Sequence, residues 1–358
     1  MGHSKRRKAA SWGVVAFALI ATYICFGSSP AGTKAALGSI PPLVIMTVRG
    51  FLAGAVLTVW ALATGARRPG LRRLVSSLLV GTLILAFGAG VGTLGQQTVA
   101  SSVVGVLSAM IPLMSACLGY LLFRERPAKQ ALIGLNRVHF ENHGLCQPAV
   151  RRCVRSRRLR SELPDYGFQS GRGLVIGFVG IGILLRPGSH LDLFGVALVV
   201  AAQISWALGA VMAPRLRLPE DARLAAGLEL LGGSGVLLIA SAIMGEFGTL
   251  RLDAVSSSSW SGLGWLVLTA IGGFTAYGFL AKRVPSCVST TFAYVNPVMA
   301  VSLGWLLFSE PVTVRMLLAT AVVVTGVCLI VSAGGPEPQR PRHHPMTSGH
   351  GHASHGWR

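Results

Sequence analysis

The sequence predicts an all-α membrane protein, ten transmembrane helices arranged as two inverted five-helix repeats, and three observations lead there. Of 358 residues, 52% are hydrophobic and only 12% charged, with a mean hydropathy of +0.61. A chain this apolar has lipid rather than water as its main solvent. Apolar runs near the ~20 residues that cross ~30 Å of hydrocarbon recur along its whole length. One run also occurs twice. GVLSAMIPLMSACLGYLLFRE, residues 105 to 125, aligns with TTFAYVNPVMAVSLGWLLFSE, residues 290 to 310, so that Pro112 meets Pro297, Gly119 meets Gly304 and Glu125 meets Glu310.

The predicted spans are Trp12 to Ser28, Ile40 to Ala63, Val75 to Gly95 and Ser101 to Phe123, then Gly173 to Leu185, Phe194 to Ala213, Leu224 to Met244, Trp260 to Leu280, Cys287 to Phe308 and Val314 to Val331. The first follows Lys5, Arg6, Arg7 and Lys8 as a signal peptide would, but no A-x-A-like cleavage site closes it, so it reads as helix one. Each half holds an odd number of spans. The second half therefore enters the membrane upside down relative to the first. Cys25, Cys117, Cys287 and Cys328 fall inside apolar runs and read as small core residues, not as a disulfide framework.

Charge orients the helices. With the N-terminus inside, 27 of the 32 Lys and Arg fall on inner segments, against Lys34, Arg186, Arg251 and Arg315 outside and Arg49 within a span. This bias predicts both termini in the cytoplasm. It also explains the net charge of +20 as topology, so no nucleic-acid partner is expected.

The duplication exposes an interruption. The alignment runs through Ala131, Leu132 and Ile133, fails at Asn136, and resumes only when Gly180 is laid over Gly326. Removing residues 136–174 restores one span, KQALIGLVIGFVGIGILL, in register with helix ten. This predicts a basic insertion inside helix five, which leaves residues 174–185 as a 12-residue remnant about 18 Å long, to be completed by 129–135 across a loop. The predicted organisation is then a cytoplasmic N-terminus at 1–11, a first repeat at 12–135 plus 175–187, the insertion at 136–174, a second repeat at 191–333, and a disordered His-rich cytoplasmic tail at 334–358. The insertion carries eight arginines, a composition suited to anionic lipid at the cytoplasmic face. Its His139, His143, Cys146 and Cys153 match no common zinc-finger spacing, so no metal site is expected.

Polar groups within the spans are few, which makes each one a candidate. Pro112 and Pro297 lie near the middle of their helices, where proline frees a carbonyl one turn earlier, around Ser108 and Ala293. Asn296 has Ile111 as its repeat counterpart and reads either as a solute contact or as a helix-to-helix hydrogen bond. Arg49 and Glu229 are the ionisable residues well inside spans, and a lone charge there costs ~2.5 kcal/mol or more. They correspond in the repeats. Inversion places Arg49 about 10 Å in from outside and Glu229 a similar depth in from inside, so they are not expected to touch. Trp206, too deep for an interfacial belt, joins Tyr294, Gln96, Gln97 and Gln203 as a possible pathway lining. Glu229 is the candidate for coupling to protons.

SWALGAVMAPRLRLP at 205 to 219, AAGLELLGGSGVLLIASAIMGE at 225 to 246 and FAYVNPVMAVSLG at 292 to 304, set in the five-plus-five duplication, resemble the EamA-type members of the drug/metabolite transporter superfamily, in particular its YedA-like exporters. The resemblance covers nearly all of the chain outside residues 136–174 and the tail, and implies a small-solute carrier of a bacterial inner membrane. The chain departs from the family at Phe26-Gly27, where Trp-Gly is usual, and at GQQTVASS, residues 95 to 102, where an acidic residue and a V-P-S turn are common.

Three classes of function stay open. One is a carrier exporting metabolites, amino-acid-like solutes or drugs by alternating access. Another is a non-transporting protein that uses the basic insertion for docking or lipid binding, and the third is a carrier inactivated by that insertion. No nucleophile, triad, phosphate loop or metal cluster points to an enzyme, and no cofactor is expected.

Overall fold

The computed structural model describes residues 12–123, 166–184, 192–280, 283–284 and 291–332. Among these the regular structure is helical throughout. Seven helices are long and apolar enough to cross a membrane: α1 (Trp12–Ala36), α2 (Pro42–Ala63), α3 (Leu71–Gly95), α4 (Ser101–Phe123), α6 (Leu193–Arg215), α7 (Ala222–Ile243) and α8 (Ser257–Leu280). Between and after them lie α5 (Tyr166–Leu184), α9 (Phe292–Phe308) and α10 (Val314–Ser332), whose described apolar parts are shorter.

The helices pair across the two halves of the sequence. α2 lies along α7, α4 along α9 and α5 along α10, while α1 packs on α8 and α3 on α6. Small residues make these approaches possible. A Cβ added to Gly54 would lie 2.9 Å from the Gly227 carbonyl of α7, and one on Gly326 only 2.6 Å from the Gly177 amide and 2.7 Å from the Gly173 carbonyl of α5. The buried apolar residues of the described segments form two large clusters and a small third one at Val15, Ala18 and Leu280, each drawn from both halves. One large cluster gathers Leu107 and Leu113 of α4, Val199 of α6 and Val323 of α10. The other large one gathers Ile45 and Leu57 of α2, Leu230 of α7 and Leu266 of α8.

Carboxylates start four of the helices, as the unpaired amides of a first turn require. Asp192 caps α6 through the amides of Phe194 and Gly195. Asp221 caps α7 through Arg223 and Leu224, and the Arg223 side chain holds its carboxyl down at about 2. The other two caps come from segments distant in the sequence. Glu246 accepts from the amides of Leu43 and Val44, both at 3.0 Å, and so caps α2. Glu310 does the same for α4, with Ser101 and Ser102.

Three boundaries differ most from expectation. α1 does not stop at Ser28 but is interrupted there and resumes as Ser29–Ala36, because Pro30 and the small residues after it restart a helix in which proline's missing amide costs nothing. α9 begins at Phe292 rather than Cys287, and residues 285–290 lie outside those described. The largest difference is α5. It begins at Tyr166 and runs 19 residues, about 28 Å, so the end of the predicted insertion is itself helical and the remnant needs no completion from 129–135, which lie outside the described residues. Nothing after Pro164 breaks the helix, and Gly173 packs against α10 where the alignment ran out.

Deleting residues 136–174 tests what the stretch contributes. The deletion seats Gly134-Leu135 in place of Gly173-Leu174, which keeps the glycine that α10 needs, and replaces Gly171 and Arg172 with Leu132 and Ile133. Leucine and isoleucine favour a lipid-embedded helix over glycine and arginine. The thermal unfolding midpoint in detergent is expected to rise; a fall would mark the stretch as an integral part of the fold.

Candidate functional site

Three of the predicted site residues share one small cavity. Arg49 from α2, Trp206 from α6 and Glu229 from α7 line it with Gly81, Leu85 and Phe274, around a volume of about 20 Å³. That is room for about one water. Arg49 is 7% exposed; among the described residues its Nη1 reaches only the Met46 sulfur at 3.6 Å, and its Nε is buried with no partner. Among the described residues no ion pair joins Arg49 to Glu229. The cavity owes its shape to two local features. Gly81 lets the α7 backbone at Glu229 pass directly over α3. Beyond it, residues Thr82–Gly90 wind as a wider π-helical stretch, and Ser205, beside Trp206, donates to the Leu83 carbonyl there at 2.8 Å.

The proline-bearing helices form a second group. α4 is interrupted between Ser108 and Met110, at the turn where Pro112 cannot donate, whereas α9 stays continuous through the buried Pro297. Asn296 faces the interruption of α1: a Cβ on Gly27 would stand 3.6 Å from its Oδ1, and that oxygen is buried without a hydrogen-bond partner among the described residues. Tyr294 packs against the cluster of α4, α6 and α10. Gln203 is buried on α6. The candidates thus fall into separate groups, and Gln97 lies in neither.

Gln97 opens instead onto a larger cavity, about 620 Å³, lined by Lys34, Pro42, Gln96 and Glu246 among others. Here Gln96 donates to the Pro30 carbonyl at 2.7 Å, inside the restarted turn of α1.

Sequence reasoning missed the link between the groups. Phe26 of α1 meets Phe274 of α8 edge-on at 6.0 Å and Phe292 of α9 at 5.1 Å, and Tyr277 meets Phe292 at 5.8 Å. Phe274 also lines the Arg49–Glu229 cavity, so this aromatic cluster connects that cavity to α9. The Tyr23 and Thr291 hydroxyls, 2.6 Å apart, tie α1 to α9 a turn further toward the N-terminus of α1. Nothing in the local pattern separates such aromatics from exposed ones such as Trp60 and Trp305. Only the departure at Phe26-Gly27 was a signal.

Helices with these polar gaps between them match the EamA-like transporter family over residues 12–138 and 193–332. The chain belongs to that family. It is 32% identical over 329 residues to the uncharacterized inner membrane transporter YedA of Escherichia coli K12, across 90% of this chain and 92% of that protein. It is 23% identical over 301 residues to the uncharacterized transporter YdfC of Bacillus subtilis 168, covering 83% and 84%. A solved crystal structure shares the fold at a TM-score of 0.56 and 15% identity, over 88% of this chain and 96% of its own. The family match leaves out 139–192, which contains most of the predicted insertion.

Proposed function

We propose that the protein is a carrier of a bacterial inner membrane, with both termini cytoplasmic, which exports a small metabolite, amino-acid-like solute or drug by alternating access between two inverted five-helix repeats. The observation that carries this reading is that the Arg49–Glu229 cavity is walled by α2 and α3 from the first half and by α6, α7 and α8 from the second. A site between two halves is what rocking of one against the other can expose to either side. The helix pairing supports the same architecture. Under a two-fold axis that exchanges the halves, α2–α7, α4–α9 and α5–α10 map onto themselves, and α1–α8 maps onto α6–α3; all these pairs are packed.

In this reading the unpaired Arg49 Nε and Asn296 Oδ1 are the polar atoms that a solute or its water satisfies. Trp206, Tyr294, Gln97 and Gln203 line the route, and the turns at Pro112 and Pro297 let α4 and α9 flex. Glu229 is the proton carrier, since it is the carboxylate of the cavity and no ion pair holds it among the described residues.

Reconstitution into proteoliposomes tests the proposal. Efflux of amino acids and amphipathic drugs is measured with the full chain and with the 136–174 deletion, and each is expected to move at least one of these solutes. Movement of none would favour the docking-arm or inactivated reading. Glu229→Gln is expected to flatten the pH dependence of any transport found, while an unchanged pH profile removes Glu229 from coupling.

A further inference from the structure

The larger cavity has its own chemistry. Lys34, half-buried on the second segment of α1, lines it and makes no hydrogen bond or ion pair among the described residues. The acid of the same cavity is engaged elsewhere: both Glu246 oxygens reach the Leu43 amide, and one also takes the Val44 amide and the Ser241 hydroxyl. Gln96 has committed its amide nitrogen to Pro30, but the Gln97 side chain is exposed and free to donate. What the described residues of this lining leave for a ligand is therefore one unpaired cation and one amide N–H, and no unengaged carboxylate.

A second unpaired cation follows. Arg49 stands seven residues along α2 from Pro42, itself in the cavity wall, and so about 10 Å deeper. Its buried Nε has no partner among the described residues. Two cations at successive depths, each without a counter-charge, are costly to keep and attract the same kind of group.

We propose that the cavity at Lys34 is an oxyanion-binding antechamber, in which Lys34 and Gln97 receive a carboxylate or phosphate group of the solute before it passes to, or after it leaves, Arg49. The proposal rests on the carrier reading for its direction of travel, but not for the binding itself.

The test reads the antechamber without transport. In full-length protein with its six cysteines replaced by serine, shown to keep its unfolding midpoint, Thr249→Cys places one thiol at the cavity wall. Its reaction rates with an anionic sulfonate and a cationic trimethylammonium methanethiosulfonate are compared in liposomes. The anionic reagent is expected to be favoured, with the rate ratio falling about tenfold in Lys34→Gln and returning in Lys34→Arg. Millimolar succinate or inorganic phosphate should slow the labelling in a Lys34-dependent way, and whichever protects better identifies the oxyanion; tetramethylammonium should not protect. A rate ratio indifferent to Lys34, or equal protection by tetramethylammonium, overturns the proposal. Lys34-dependent protection together with no efflux of any solute would sink the carrier reading and leave the antechamber standing.

Discussion

Gly81→Ala is expected to lower the unfolding midpoint in detergent by about 5 °C or more and to abolish transport. The added Cβ would stand far inside van der Waals contact distance of the Glu229 carbonyl, with the Glu229 Cα only 2.9 Å away. These are backbone atoms of a helix and cannot rotate aside, so α3 and α7 must separate. The same displacement opens the Arg49–Glu229 cavity, because Gly81 and Glu229 are both in its wall. Gly264→Ala is the control. A Cβ there meets nothing within 4 Å, so the substitution should be neutral, or stabilise by roughly 0.5–1 kcal/mol through helix propensity. Equal behaviour of the two variants would show that the α3–α7 approach does not limit packing.

Gly81 also illustrates which parts of the molecule were legible in advance. Hydropathy alone located the long helices, since lipid imposes length and apolarity on each one separately. Arg49 and Glu229 were conspicuous for the same reason: a charge inside an apolar run needs no partner to be noticed. Their common cavity was not visible, because it depends on which helices adjoin, and Gly81 in the sequence is one of 45 glycines. The π-helical stretch at Thr82–Gly90 likewise has no residue pattern of its own, and its packing on α6 is a tertiary fact. Lys34 was counted only as an outer charge. Its lack of a partner is a tertiary fact, created when Glu246 turned toward α2. The start of α5 at Tyr166 was misjudged because repeat alignment reports ancestry in register, while the helix obeys local propensity and continues through residues that have no counterpart in α10.

Glu310→Gln is the second large effect expected, and it separates charge from shape. The carboxylate accepts four hydrogen bonds: one oxygen takes the Ser101 amide and hydroxyl, both at 2.8 Å, and the other takes the Ser102 amide at 3.0 Å and its hydroxyl at 2.5 Å. An amide of the same size keeps one accepting oxygen, and its NH2 would face a backbone N–H that also donates. Bonds to a charged acceptor contribute more than neutral ones, and a buried donor left unpaired adds its own cost, so a loss of roughly 2–4 kcal/mol is expected. The duplication pointed to Glu310 through its match with Glu125, but not to its work, which is to fasten the loop after α9 to the first turn of α4. Burial pushes the carboxyl up, yet the bonds from Ser102 and Ser101 outweigh it and hold Glu310 below its ordinary 4.5. The sign follows from linkage: a depressed folded-state value contributes stability above 4.5 that is lost as pH falls through that lower value. The wild-type unfolding midpoint should therefore decline on acidification below about pH 4.5, and the decline should be shallower in Glu310→Gln, which has no proton to take up there. Parallel acid profiles in the two proteins would mean that the cap is not what acid breaks first.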